Sequence, residues 1–126
     1  VHVTGAVPHA EIVAYLAAID VALQPAATSY ASPMKIFEYL AMAKPVVAVD
    51  QGNTREILDD GVNALFFPPG DRPAFVAAVQ AMFSDQAQLD AMSRAARDAI
   101  FAREFLWDRN AQRVVELARP LLTQAD

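Results

Sequence analysis

Short apolar runs alternate with helical patterns along the first half of the chain. Four runs have the length and apolar content of β-strands: residues 1–4, 20–24, 45–49 and 64–67. Between the first two, apolar residues recur at the spacing that gives a helix one apolar face: Ile12, Tyr15, Leu16 and Ile19. Two more helices are predicted at residues 33–42 and 54–58. Uninterrupted apolar strands such as PVVAV are typical of a parallel sheet covered on both faces, so the predicted fold class is α/β.

The last third of the chain carries helical patterns only. Three helices are predicted after Phe67: residues 72–83, 87–101 and 106–122. Asp71, at the end of the turn PPGD, has a side chain that can cap the first of them. The last helix has apolar residues along one face, beginning with Trp107, which predicts a packing surface. Residues 1–126 are therefore predicted to form one Rossmann-like domain whose C-terminal third, from about residue 72 to residue 122, is helical.

Composition limits the classes of partner. Ten basic and fifteen acidic side chains give a net charge of -5 and a pI near 4.8. A chain of this charge repels a phosphate backbone, so nucleic acid is not an expected partner. The sequence has no cysteine, which removes disulfides and cysteine-ligated metals, and we expect no bound metal. No run of eighteen uncharged apolar residues is present, and the lack of cysteine suits a cytoplasmic protein.

The start of the second predicted helix has the features of an anion-binding site. In parallel α/β sheets, ligands bind beyond the carboxyl ends of the strands, where the loop at residues 25–33 lies. Ser32 followed by Pro33 is a favoured helix start, which would leave the amides of Met34 and Lys35 free to meet an anion. Lys35 adds a full positive charge to this end of the helix.

Glu38 lies one turn after Lys35 on the same face of the helix. A carboxylate there can accept two hydroxyl hydrogen bonds, as the vicinal hydroxyls of a ribose require. The two residues also fit an ordinary i,i+3 surface ion pair, worth about 0.2–0.5 kcal/mol. Lysine in a first turn opposes the helix dipole, which favours the interpretation that an anion binds there. These residues predict a ligand with phosphate and ribose.

Five segments of the chain, in order, resemble one known family. They are VxGxV at residues 3–7, DVALQP at 20–25, SPMKIFEYLA at 32–41, KPVVA at 44–48 and DGVNALFFPPGD at 60–71. The chain resembles the C-terminal half of GT-B fold retaining glycosyltransferases of the glycosyl transferases group 1 family. The resemblance implies a domain that binds a nucleotide diphosphate sugar donor without a metal or other cofactor. It also implies hexosyltransferase activity and an N-terminal acceptor domain that is absent from this chain.

The resemblance assigns a role to each residue that matches a family position. Glu38 stands where the family holds the donor ribose. Met34 and Lys35 stand where groups at the helix start meet the diphosphate, and Ser32 joins them as a predicted donor contact. We therefore expect the nucleotide to lie along this end of the helix.

Four further residues are candidate donor contacts. Ala6 and Val7 match the family's loop beside the base. Tyr30 occupies the position of the first glutamate in the family's Glu-x7-Glu motif, and this departure puts donor-sugar recognition in doubt. Glu56 follows a strand-end loop that faces the same cleft and is a candidate contact to the donor sugar. No catalytic residue is identified.

The family's domain begins with two more strands, which carry an Arg and a Lys that clamp the donor phosphates. They would lie upstream of Val1, so the isolated chain is expected to be inactive. In the strand order 3-2-1-4-5-6 they belong between strands 1–4 and 20–24. The edge of strand 20–24 is then expected to pair with residues 1–4 or with a second copy of the chain.

An alternative function is a non-enzymatic α/β module that is regulatory or binds a nucleotide. A receiver-type module would need acidic residues after its first strand, where this chain has Gly5 and Ala6. The glycosyltransferase interpretation is therefore preferred. It leaves the base, the sugar and the acceptor open, and any peripheral attachment to a membrane would come through the missing half.

Overall fold

The computed structural model describes residues 2–26, 28 and 30–122. A short 3₁₀ turn at His9–Glu11 precedes the first α-helix. The elements then follow in chain order: α1 (Ile12–Ala18), β1 (Ala22–Gln24), α2 (Met34–Ala41), β2 (Val46–Val49), α3 (Gly52–Arg55), β3 (Ala64–Phe67), α4 (Arg72–Met82), α5 (Gln86–Ala102) and α6 (Trp107–Leu122). The predicted α/β fold with a helical C-terminal third is confirmed.

The three strands form one parallel sheet in the order β1-β2-β3. Ala22 pairs with Val46 and Val46 pairs with Ala64, which fixes the register across the sheet. All four residues of β2 are buried, because this strand is paired on both edges and covered on both faces. This is the environment that the uninterrupted apolar run PVVAV predicts.

The side chains of β2 alternate between two apolar clusters. Val46 and Ala48 pack with residues of α2, of α5 and of the segment after α3, whereas Val47 and Val49 pack with residues of α4 and α5. Helix α5 contributes to both clusters, with Ala96 in the first and Met92 in the second. Each large apolar side chain that is fully buried in this way contributes about 1.5–3 kcal/mol relative to exposure.

The strand predicted at residues 1–4 is wrong. Residues 2–4 are irregular and exposed, with Val3 82% exposed, and residue 1 lies outside the described residues. A strand so short is stabilised only when its backbone pairs with a neighbour and its apolar side chains are buried. Neither occurs here, so the sheet has three strands among the described residues and β1 is an edge strand.

Other element boundaries in the structure differ from the predicted ones by a few residues. Helix α3 lies at Gly52–Arg55 instead of 54–58, because the Gln51 amide donates to Thr54 Oγ1 and starts the helix earlier. Ile57 and Leu58 are then free to turn into the core, where they are 5% and 2% exposed. The predicted cap of α4 is confirmed, since the Ala74 amide donates to Asp71 Oδ1 at 2.8 Å.

Helix α6 differs from the rest of the fold because its apolar residues are exposed. Trp107 is 78% exposed and Leu117 is 70% exposed. The apolar stripe predicted from Trp107 onward is therefore not covered by the described part of the chain. No helix among the described residues is both long enough and apolar enough to cross a membrane.

Candidate functional site

The carboxyl edge of the sheet carries two adjoining cavities. The first, which we call the α2 cavity, has a volume of about 480 Å³ and is lined in part by Gln24, Ser32, Met34 and Lys35. The second, the α3 cavity, has a volume of about 560 Å³. It is lined by residues from three loops and two helices: Tyr30, Ala31, Ser32, Phe37, Gly52, Asn53, Glu56, Ile57 and Phe105. Ser32 lines both cavities, so one ligand could extend from the first into the second.

The start of α2 corrects the predicted cap. Pro33 is the N-cap residue, with φ -78° and ψ 82°, and no side chain caps the helix. The helix therefore begins one residue later than predicted, and Ser32 offers its carbonyl instead of its hydroxyl. The Met34 amide donates to that carbonyl at 3.0 Å, so the prediction that this amide is free is wrong. The Lys35 amide has no partner among the described residues, so one of the two predicted donors remains available.

Lys35 and Glu38 are both exposed on α2. Neither takes part in an ion pair among the described residues, so the alternative of an i,i+3 surface pair is not formed in this structure. Lys35 lines the α2 cavity, but Glu38 does not line it. Burial raises the pKa of Tyr39, which also lines this cavity, and the nearby Glu38 carboxylate raises it further. The tyrosine therefore stays neutral and keeps its hydroxyl proton at physiological pH.

Tyr30 and Glu56 meet at the α3 cavity, although 26 positions separate them in the sequence. Tyr30 is 90% exposed. The backbone of Glu56 is held from the other end of the fold, because Arg103 Nη1 donates to its carbonyl oxygen at 3.1 Å. Arg103 Nη2 also bonds Asp59 Oδ1 at 2.8 Å. The structure thus brings together two of the predicted sugar-side residues.

An ion pair fixes the loop that follows β2. Arg55 Nη2 donates to Asp50 Oδ2 at 2.8 Å, and Arg55 Nε donates to the other carboxylate oxygen. The Arg55 guanidinium also lies 4.6 Å from the centroid of the Phe66 ring. Hydrogen bonding from Arg55 lowers the pKa of the Asp50 carboxyl group. Asp50 thus holds the loop through Arg55.

Ala6 and Val7 are not brought to either cavity. Both precede the 3₁₀ turn, where Ala6 is exposed and Val7 is partly buried. Their contact with a nucleotide base stays a prediction. Among the described residues, no three His, Asp or Glu side chains group closely enough to hold a metal ion.

Asn53 is the site residue that sequence reasoning missed. Its side chain donates two hydrogen bonds to the loop between β1 and α2 and lines the α3 cavity. The available signal was position, because Asn53 lies four positions after the end of β2, a buried strand whose carboxyl end faces the site. Asparagine after glycine is also an ordinary turn pattern, so this signal was weak.

A family model described as "Glycosyl transferases group 1" matches residues 1–85. The chain belongs to this family. All eight predicted donor contacts lie within the matched segment, whereas α5 and α6 lie beyond it. No curated protein matches the sequence.

Two solved structures resemble this glycosyl transferases group 1 chain in fold. One is a sucrose-phosphate synthase from Thermosynechococcus elongatus, with a TM-score of 0.84 and 24% identity over 97% of this chain. The other is Anabaena HepE in complex with UDP, with a TM-score of 0.76 and 23% identity over 84% of this chain. The chain spans 30% and 29% of the lengths of these proteins. The likeness confirms a glycosyltransferase fold that makes up about a third of each larger chain.

Proposed function

We propose that the chain is the donor-binding part of a retaining glycosyltransferase. The donor is a nucleotide diphosphate sugar, and the acceptor binds to a separate N-terminal domain of the parent protein. The observation that carries the proposal is the position of Lys35, at the start of α2 in a cavity at the carboxyl edge of a parallel sheet, with no ion-pair partner among the described residues. Family membership and the UDP bound to the fold relative HepE support it.

The α2 cavity suits a diphosphate for two reasons. The Lys35 amide and the positive end of the α2 dipole both face an anion placed at the helix start. The Lys35 ammonium group is exposed and pairs with no carboxylate in the described part of the chain, so it adds a mobile charge that can follow the phosphates. Ser32, which lines both cavities, offers a hydroxyl at the junction where the diphosphate would join the sugar.

The other donor groups would extend from this anchor in two directions. Glu38, exposed one turn further along α2, can accept hydrogen bonds from the ribose hydroxyls. The sugar would enter the α3 cavity, where Tyr30 offers an aromatic face and Glu56 offers a carboxylate for sugar hydroxyls. Ala6 and Val7 would meet the base.

Transfer needs more than this chain supplies. In the family's retaining mechanism, the acceptor hydroxyl attacks the anomeric carbon on the face that the diphosphate leaves, and a donor phosphate oxygen takes the acceptor proton. Stabilising the departing diphosphate depends on positive groups placed around it. Because the chain spans about a third of the lengths of its fold relatives, we propose that it binds the donor and that transfer also uses groups of the remaining protein.

The proposal is tested by titrating UDP, GDP and ADP separately into the chain and measuring heats of binding. At least one nucleotide should bind. For that nucleotide, Lys35→Ala and Glu38→Ala should each weaken binding by about 1–3 kcal/mol, the range for losing a charged hydrogen-bonding partner.

Matched controls remove the same charges elsewhere. Arg94→Ala and Asp98→Ala change exposed residues of α5 that line neither cavity and should leave affinity unchanged. If none of the three nucleotides binds, or if the control variants lose as much affinity as the α2 variants, the donor site is not where we propose it. The non-enzymatic module would then be the better interpretation.

A further inference from the structure

The side-chain amide of Asn53 ties two elements of the carboxyl edge together. Its Nδ2 atom donates to the carbonyl oxygens of Thr28 and Ala31, at 2.8 and 2.7 Å. Asn53 belongs to α3, whereas the two carbonyls lie 25 and 22 positions earlier, in the loop between β1 and α2. The Ala31 amide also donates to the Thr28 carbonyl at 3.2 Å, which closes a turn. Asn53 thus holds this turn from the helix that follows the next strand.

The turn carries Tyr30, whose side chain is exposed at the mouth of the α3 cavity. The carbonyls on which Asn53 acts belong to the residue after Tyr30 and to the residue two positions before it. Among the described residues, no hydrogen bond, ion pair or ring contact holds the Tyr30 side chain itself. Its position therefore depends on the backbone of the turn, and the backbone depends on Asn53.

The orientation of the Asn53 amide is set by these two donor bonds. Its Oδ1 atom is buried and has no partner in the part of the chain that the structure describes, which is unfavourable for an amide oxygen. Rotating the amide by 180° would bring Oδ1 against two carbonyl oxygens, which repel it. The donor group is therefore the functional part of this side chain, and a residue of the same shape without N–H groups cannot replace it.

We infer that Asn53 is a positioning residue for the sugar of the donor. It holds the turn that places the Tyr30 ring at the α3 cavity, where the ring can pack on the C–H face of a hexose. The nucleotide end of the site is built on α2, whose helical bonds do not pass through Asn53. Asn53 therefore acts on recognition of the sugar and leaves recognition of the nucleotide unchanged. This inference rests on the proposed function.

The first test needs no ligand. Asn53→Asp keeps the shape of the side chain but removes both donors, and a carboxylate in the first turn of a helix is tolerated. Amide hydrogen exchange of the Ala31 amide should accelerate by about tenfold or more, since its bond to Thr28 is no longer supported. Asn53→Gly, which removes the donors without adding charge, should give the same result. Gln80→Glu, the same chemical change on the exposed face of α4, should have no effect.

The second test compares UDP with the tightest binder among UDP-glucose, UDP-galactose and UDP-N-acetylglucosamine. We expect Asn53→Asp to weaken binding of the UDP-sugar by about tenfold and binding of UDP by less than about threefold. If Asn53 acts through Tyr30, the double variant Tyr30→Ala with Asn53→Asp should bind the UDP-sugar no more weakly than Tyr30→Ala alone.

The two tests separate failure of this inference from failure of the proposed function. Unchanged exchange at Ala31 would overturn the inference whatever the chain binds. Equal losses for UDP and the UDP-sugar, or additive losses in the double variant, would overturn the specific role on the sugar. If the unaltered chain binds neither UDP nor any UDP-sugar, the proposal of a uridine-nucleotide donor fails, and the proposed contact to its sugar fails as well. Accelerated exchange would still establish that Asn53 orders the turn.

Discussion

Strand β2 and helix α6 are both rich in apolar residues, yet they lie at opposite extremes of burial. Every residue of β2 is buried, and Val46, Val47 and Ala48 are 0% exposed. In α6, Trp107 and Leu117 are more than two-thirds exposed, and no described side chain is buried. Part of the difference is composition, because β2 is entirely apolar whereas α6 also carries charged residues on its other positions. For apolar side chains of α6 such as Trp107 and Leu117, a second cause is that the described chain supplies no second surface to pack against.

The same contrast separates the centre of the sheet from its margin. Leu23, in the edge strand β1, is 44% exposed, whereas its pairing partner Val47 is fully buried. The residues of α2, β2 and α5 form a buried core, but none of the described residues covers the free edge of β1 or the apolar face of α6. A chain that spans about a third of the lengths of its fold relatives leaves such margins when the covering surface belongs to the remainder of a larger protein.

The largest predicted effect on the free energy of unfolding comes from replacing a leucine by alanine, once in the core and once on α6. Leu40→Ala, in the core face of α2, should lower the free energy of unfolding by about 2–5 kcal/mol, since the residue is fully buried and leaves a cavity. Leu117→Ala, on the exposed face of α6, should change it by less than about 0.5 kcal/mol. Urea denaturation followed by circular dichroism measures both. A similar loss in the two variants would mean that α6 is packed in solution and that the comparison is wrong.

A buried hydroxyl gives the next largest effect. Thr54 is fully buried, and its Oγ1 lies 2.7 Å from the Val49 carbonyl oxygen and accepts from the Gln51 amide. Thr54→Val keeps the volume but leaves buried backbone groups without partners, which should cost about 1–3 kcal/mol of unfolding free energy. Thr4→Val makes the same change where the hydroxyl is exposed and should cost less than about 0.5 kcal/mol. Equal losses would show that the Thr54 bonds do not stabilise the loop after β2.

Sequence patterns predicted the elements of the fold where burial decides them. The strand at Ala64–Phe67 has the predicted bounds because flanking turn residues limit an apolar run that is buried between neighbours. The strand at residues 1–4 was wrong because alternation alone cannot show whether a partner edge is available. For the same reason, the sequence indicated an apolar face on α6 but could not show what would cover it.

The site was less predictable because its geometry depends on distant backbone. Lys35 and Ser32 were found from a local pattern at a helix start, although the true cap is Pro33, whose ψ of 82° lies outside the helical region. Asn53 escaped notice because it acts on carbonyls more than twenty positions away. A local pattern records side-chain types and spacing, and it does not record which backbone groups a fold brings within reach.

Measuring self-association would show whether the edge of β1 or the apolar face of α6 mediates contact between two copies of the chain. If two copies join through the edge of β1, Leu23→Lys should weaken association by about tenfold or more, because charged residues on an edge strand oppose pairing. Leu117→Lys should have no effect in that case. Sedimentation over a range of concentrations measures both. The reverse result would assign association to α6, and a monomer at all concentrations would remove the edge pairing that we expect.

The ion pair beyond β2 predicts the smallest effect. A hydrogen bond from Arg55 lowers the pKa of the Asp50 carboxyl group below the usual value of 3.8. Because the folded-state pKa is depressed, the stabilisation is fully present above the unfolded-state pKa and is lost as pH falls through the folded-state value. Carbon NMR should therefore find a titration midpoint below 3.8 for Asp50, and Arg55→Gln should raise it. Arg94→Gln should leave that midpoint unchanged. If Arg55→Gln also leaves the Asp50 midpoint unchanged, the ion pair does not hold the loop in solution, and the ordered structure around β2 does not extend into the loop that follows it.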